Sequence, residues 1–295
     1  MSTLPFFTLD VFTDRRFSGN PLAVVMDADD LSTANMQCIA REFNLSETVF
    51  VQRPTLAGAD VRVRIFTPAA EVPFAGHPSV GTACLLAELD HLDTDDGRIV
   101  LQEEVGLVRL GLRKKDDAPY FAELSVAQLP RFSDAPDAAS VAPVLGLEAD
   151  DIAADGPLFS GCGLDYLLVP LRSPELLAAI TLDALQMQSL LTGAVAQMVL
   201  VYARGYEGEM RARMFAPALG VPEDPATGSA AVALAGRLAN DASEQDGRFQ
   251  WTIHQGLEMG RPSRLYASAE KRGGEITAVR VGGHAVRLTQ GTIHV

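Results

Sequence analysis

The chain is poor in cysteine, poor in positive charge and without long apolar runs. Its three cysteines, Cys38, Cys84 and Cys162, are odd in number and far apart, and no CxxC pair occurs. A disulfide framework and a zinc ribbon are therefore both unsupported, and a reducing, cytoplasmic setting is expected. Lys and Arg number 24 against 38 Asp and Glu, a net charge of −14. Neutralising nucleic-acid phosphates needs the opposite surplus, and no basic stripe interleaved with aromatics is present. No run approaches the roughly 18 apolar residues of a membrane span. The opening MSTLPFFTLD lacks a basic n-region and carries Asp10, so it does not read as a secretory signal.

Several catalytic signatures are missing too. No GxxxxGK[ST] loop occurs, and GCGLDY and GGHAVR do not complete GxGxxG, which leaves a nucleotide or dinucleotide site without support. The five histidines, His77, His91, His254, His284 and His294, show no HExxH or CxH spacing, so no zinc site is readable. There is no GxSxG elbow. What remains is acid–base chemistry by Glu, His and Asp.

The composition, 47% hydrophobic and 21% charged over 295 residues, is that of a globular protein with room for about two domains. An internal repeat at half the chain length divides it. Arg64–Ala83 (RIFTPAAEVPFAGHPSVGTA) matches Arg213–Ala230 (RMFAPALGVPEDPATGSA). Phe66, Pro68, Val72 and Pro73 pair with Phe215, Pro217, Val221 and Pro222. After a two-residue gap, Pro78, Gly81 and Ala83 pair with Pro225, Gly228 and Ala230. FSGNPLAVV with FSGCGLDYLLV, Met36-Gln37 with Met187-Gln188, ETVFV with QMVLV, and Gly97, Arg98 and Gly106 with Gly247, Arg248 and Gly256 follow in one order. This pattern implies two similar domains related by a pseudo-twofold axis: residues 1–133, which a returning strand at 289–295 would complete, and residues 141–288. The Ala-, Pro- and Asp-rich stretch Ser133–Ser140 is the expected linker.

Each half reads as mixed α and β. FTLDVF, LAVVM, ETVFV and VRVRIFT have strand character. LSTANMQCIAREF has Met36, Ile39, Ala40 and Phe43 on one helical face, with Ser32 or Thr33 as N-cap. SVGTACLLAEL predicts a helix beginning near Pro78 or Ser79, and DPATGSAAVALAGRL predicts its counterpart, with Asp224 suited to cap it. Helix starts present free N–H groups and positive potential. Two such starts facing one inter-domain cleft would suit a small anionic, carboxylate-bearing substrate. The alignment sets His77 opposite Asp224 and Cys162 opposite Asn20. Glu47 opens a strand among Leu45, Val49 and Phe50, a setting that would desolvate its carboxyl; the plainer readings are a surface glutamate or the last member of an Asn44–Glu47 capping box. Ser229 could be no more than a hydroxyl near a cap.

FTDRRFSGNPLAVV, NLSETVFV, RIFTPAAEVPFAGHPSVGTACLL, DPATGSAAVAL and QGLEMGRPS together resemble the phenazine-biosynthesis PhzF-type isomerases, from about Leu9 to Ser263. The resemblance implies an α+β, diaminopimelate epimerase-like fold: two similar domains, each a mixed β-barrel around a central helix. It implies a cofactor-free homodimer that moves a proton along a small conjugated, cyclic carboxylate. Glu47 would be the acid/base, with His77 and Asp224 as further catalytic residues. Asn20, Gly76, Gly228 and Ser229 would hold the substrate, and no metal is implied. Two alternatives stand beside it. One is an amino-acid racemase or epimerase of the same fold, which the absence of cysteine at either helix start disfavours. The other is a silent carboxylate-binding protein.

Overall fold

The computed structural model describes residues 3–91 and 97–295. The chain separates into two compact units, Met1–Ser125 with Gly282–Val295, and Val126–Val281.

The first unit contains β1 (Thr3–Val11), β2 (Asn20–Val25), α1 (Thr33–Phe43), β3 (Glu47–Gln52), β4 (Val61–Phe66), β5 (Glu71–Val72), α2 (Gly76–Glu88), β6 (Arg98–Glu103), β7 (Gly106–Arg113) and β8 (Phe121–Ser125). Strands β1/β2, β3/β4, β6/β7 and β7/β8 pair antiparallel. Strands β2/β3 and β4/β6 pair parallel. The last strand of the chain pairs with β1 from Thr3↔His294 to Val11↔Ala285 and also with β8, which closes an eight-stranded barrel.

Helix α2 fills this barrel. Every residue from His77 to Ala87 is buried, as an apolar helix without a polar face requires. Gly81 is needed there: a Cβ would lie 2.6 Å from both Leu22 Cδ2 and Val11 Cγ2. Helix α1 covers the outside, with Met36, Ile39 and Ala40 packed on Val25, Phe50 and Phe66. Ser32 is its N-cap and accepts from Asn35 N.

The second unit contains β9 (Arg131–Asp134), α3 (Ala138–Val141), β10 (Leu158–Gly161), β11 (Asp165–Pro170), α4 (Leu176–Ala179), α5 (Ala184–Leu190), β12 (Val199–Arg204), β13 (Met210–Ala216), β14 (Val221–Asp224), α6 (Gly228–Asn240), β15 (Gly247–Gln255) and β16 (Ser263–Arg272), and the start of β17 (Glu275–His294). Its pairings repeat those of the first unit in kind and order: β10/β11 antiparallel, β11/β12 parallel, β12/β13 antiparallel, β13/β15 parallel, β15/β16 antiparallel. Helix α6 is the buried centre, with Ala230 to Ala239 enclosed.

The same ion pair recurs in both units. Arg64 grips Glu71 with Nε at 2.7 Å and Nη2 at 2.6 Å. Arg213 grips Glu223 with Nε and Nη2, each at 2.8 Å. Each guanidinium also sits over a phenylalanine ring, Phe66 at 5.3 Å and Phe215 at 5.0 Å. These pairs show where the gap in the repeat falls. Arg64 and Arg213 are 149 residues apart, whereas Glu71 and Glu223, like the helix starts Gly76 and Gly228, are 152 apart. The extra residues form the turn Pro217–Leu219 after β13.

Several expectations are corrected. The repeat gap lies after Phe66 and Phe215, and it is an insertion in the second half. His77 therefore corresponds to Ser229, the second residue of each helix, and not to Asp224. Helix α2 starts at Gly76 with Ala75 as N-cap. Thr227, not Asp224, holds the N-cap position of α6, because Asp224 is still paired to Met214 at the end of β14. Asn44 is the left-handed C-cap of α1, so no Asn44–Glu47 capping box forms. The stretch 133–140 is no open linker: residues Arg131–Asp134 pair with β10 and α3 follows with its cap at Asp137. The division into units comes at Ser125, not 133, and the returning segment begins at Gly282, not 289.

Candidate active site

In the first unit, β2, β3 and the start of α2 bring Asn20, Glu47, Gly76 and His77 into one neighbourhood. Glu47 is the first residue of β3 and pairs with Leu22 of β2. His77 is the second residue of α2. Its Nε2 lies 3.4 Å from Glu47 Oε2, and both atoms are shut off from solvent. Glu47 is 19% exposed and His77 7%, so the carboxyl is neither in bulk water nor remote from the Gly76 turn. Asn20 is wholly buried opposite Val11, directly before Pro21, whose carbonyl accepts from the His77 ring.

The ring's charge state follows from its surroundings. Burial disfavours the imidazolium more than the Pro21 bond favours it, and the His77 pKa falls from 6.5 to about 3. A carboxylate 3.4 Å away would favour the cation, but desolvation of a ring this enclosed outweighs it. His77 is thus neutral near pH 7. Because Nε2 faces Glu47, the donor to Pro21 is Nδ1–H, and Nε2 turns its lone pair toward the carboxyl.

Two residues behind this turn were not legible in the sequence. Ser79 Oγ lies 2.6 Å from Ala75 O and 2.7 Å from Glu103 Oε1. Glu103 closes β6 and is 5% exposed, and burial pushes its pKa up to about 8. A cavity of about 410 Å³ opens beside it, lined among others by Arg62, Arg64, Glu71, Pro73 and Glu104. Glu47 and His77 do not line this cavity.

In the second unit, Asp224 is 8% exposed, and Thr227 Oγ1 donates to its Oδ2 at 2.5 Å. Gln255, the last residue of β15, donates to Asp224 O at 2.7 Å and to Thr227 Oγ1 at 3.1 Å, and accepts from Thr227 N at 3.2 Å. Gly256 follows with φ +75°, and a Cβ there would strike the carbonyls of Arg261 and Pro225. Gly228 begins α6. Ser229 Oγ lies 2.6 Å from the hydroxyl of the buried Tyr166, so Ser229 is held by more than its place near a cap. Thr227, Gln255 and Tyr166 were also missed; the strand–glycine endings QEEVG and HQG recur in the two halves, but neither marks its residues as buried.

The thiols do not fit a two-cysteine mechanism. Cys84 is buried and bonds Tyr120 O, Cys162 lies by Val232 O, and burial pushes both up to about 12. Neither is at a helix start.

The sequence matches the family of phenazine biosynthesis-like proteins, PhzC–PhzF, over residues 9–291. An uncharacterized isomerase of Mesorhizobium japonicum is 41% identical, with 100% of both chains covered. Trans-2,3-dihydro-3-hydroxyanthranilate isomerase of Pseudomonas aeruginosa is 37% identical over 98% of this chain and 99% of that one. The crystal structure of a PhzF-family phenazine biosynthesis protein from Bacillus anthracis superposes with a TM-score of 0.90 over 100% of both chains at 24% identity, which shows a shared fold. With its pair of helix-centred mixed barrels and these relatives, the chain belongs to the PhzC–PhzF family of phenazine biosynthesis-like proteins, whose two relatives named above are isomerases.

Proposed function

We propose that the protein is a cofactor-free isomerase that shifts a proton within a small cyclic or unsaturated carboxylate, with Glu47 as the general acid/base. The observation that carries this reading is the solvent-shielded Glu47 Oε2 facing the neutral His77 Nε2 at 3.4 Å, at the first turn of a buried helix. A carboxyl in a dry pocket can take a proton from one carbon and return it to another. The lone pair of His77 can accept a hydrogen bond from the protonated carboxyl and so orient that proton. The Gly76 amide at the head of α2 and the buried Asn20 suit a substrate carboxylate. In the second unit, the Gly228 and Ser229 amides offer the same kind of helix start, and Asp224 is the second acid/base group. The name of the Pseudomonas aeruginosa relative supports a dihydro-hydroxyanthranilate as the first substrate to try. A homodimer is part of the proposal and is checked by light scattering.

The test is turnover of trans-2,3-dihydro-3-hydroxyanthranilate in D₂O, followed by NMR. A panel of small cyclic amino and hydroxy acids serves as the second arm. Wild-type protein is expected to isomerise the substrate, and the share of solvent deuterium in the new C–H bond reports how often the proton on Glu47 exchanges before it is returned. Glu47→Gln should keep its fold and lose about 10²–10⁴ in turnover. Near-normal turnover by that variant would remove Glu47 from the mechanism.

A further inference from the structure

We propose that Glu103 is a positioning residue: as a carboxylic acid it donates to Ser79 and so fixes the turn of α2 that carries Gly76 and His77. The inference rests on the reading of that turn as the catalytic one.

The argument begins with counting hydrogens. Ser79 Oγ has one hydrogen but two short contacts, Ala75 O at 2.6 Å and Glu103 Oε1 at 2.7 Å. A carbonyl can only accept. When Ser79 donates to Ala75 O, the second contact needs a proton from Glu103. The relay then runs Glu103 Oε1–H to Ser79 Oγ–H to Ala75 O, and it ties the end of β6 to the first turn of α2. If Glu103 were ionised, one of the two contacts would set lone pair against lone pair.

The surroundings favour the neutral form. Glu103 Oε2 is buried without a hydrogen-bond partner among the described residues, a costly position for a carboxylate. The groups packed near it do not offset that cost. From β4, Arg64 is committed to Glu71 of β5, while Arg62 and the neighbouring Glu104 line the same cavity with opposite charges. From β7 the register partner is Gly106, which brings no charge. From α2, His77 is neutral. Burial raises the Glu103 pKa to about 8, against the lowering effect of Ser79.

The second unit supplies an independent comparison. Register places Gln255 where Glu103 stands: Arg62↔Gln102 in β4/β6 matches Arg211↔His254 in β13/β15, one residue earlier in each case. Gln255 is neutral, and it too bonds the residues leading into its central helix. A carboxylic acid resembles an amide in offering one donor side and one acceptor side. Both units thus brace the start of the helix with a neutral donor–acceptor group at the end of a strand. In the first unit alone, that group can ionise.

The decisive measurement is an amide NMR titration from pH 5 to 9 on the whole protein, with Glu103→Gln alongside. The wild-type Gly76, His77 and Ser79 amides should shift together with a midpoint near pH 8, and in Glu103→Gln, which donates without ionising, they should stay still. No wild-type transition above pH 6, or the same transition in Glu103→Gln, overturns the proposal. Turnover of trans-2,3-dihydro-3-hydroxyanthranilate supplies the functional readout: wild type should fall by up to tenfold in kcat between pH 7 and 9 with KM little changed, and Glu103→Gln should hold its rate. An alkaline fall that persists in Glu103→Gln also overturns it. Absence of any wild-type turnover would count against the proposed function, while the amide titration would still decide the state of Glu103.

Discussion

The buried imidazole of His77 makes the protein sensitive to acid in a way that can be worked out in advance. In the unfolded chain this histidine titrates near 6.5, and in the folded protein near 3. Between these values the unfolded chain binds more protons, so stability falls as pH falls. The contribution is fully present above pH 6.5 and is lost progressively down through pH 3. At about 1.4 kcal/mol per tenfold change in proton affinity, the full effect approaches 5 kcal/mol. The loss relative to neutral pH is about 2 kcal/mol at pH 5 and about 3 kcal/mol at pH 4. His77→Gln keeps a donor for Pro21 O and cannot ionise. Its melting temperature, measured by circular dichroism at pH 8 and pH 5, should therefore drop less than that of wild type. At about 2–4 °C per kcal/mol, the difference is roughly 4–8 °C. Parallel pH dependence in the two proteins would refute the reasoning. A steeper fall for the variant would mean that the Glu47 charge, 3.4 Å away, and not burial, governs the ring.

Two further tests concern the scaffold. Arg213→Met strands the Glu223 carboxylate and two bonds to the backbone of α4 and Ile180, so urea unfolding should show a loss of about 3–5 kcal/mol. Arg64→Met should cost less, because its pair with Glu71 is 17% and 28% exposed against 11% and 17% for Arg213 and Glu223; an equal or larger cost would contradict this. Iodoacetamide at pH 8 should modify the exposed Cys38 first and leave Cys84 and Cys162, held up to about 12, nearly untouched without loss of turnover. Rapid inactivation with labelling of Cys84 or Cys162 would revive a cysteine mechanism.

The parts of this architecture that repeat were legible in the sequence, and the parts that depend on register were not. The two halves, their strands and the apolar central helices follow from periodicity and from matched blocks such as RIFTP and RMFAP. The gap was misplaced because Val72-Pro73 and Val221-Pro222 look alike, although strand pairing sets Val72 opposite Ile65 and Asp224 opposite Met214. That displacement gave Asp224 the place of His77 and the role of a cap. Glu47 and His77 stood out by motif, 30 residues apart, yet only the parallel pairing of β2 with β3 beneath α2 accounts for their contact. Glu103 and Gln255 were hidden for a different reason. Their work is hydrogen bonding to a turn far away in the chain, and nothing local in QEEVG or HQG marks a residue as buried.

The long final strand has a consequence for how the chain is made. The first barrel is sealed by residues 282–295, with Thr3 laid beside His294. A ribosome that has finished the whole second unit has still not delivered the piece that completes the first. The opening segment must wait, its β1 edge exposed, while some 280 residues emerge, and such distant closure is entropically slow. Assembly of the first barrel therefore runs against the order of synthesis, because it waits on a segment translated after the whole second unit.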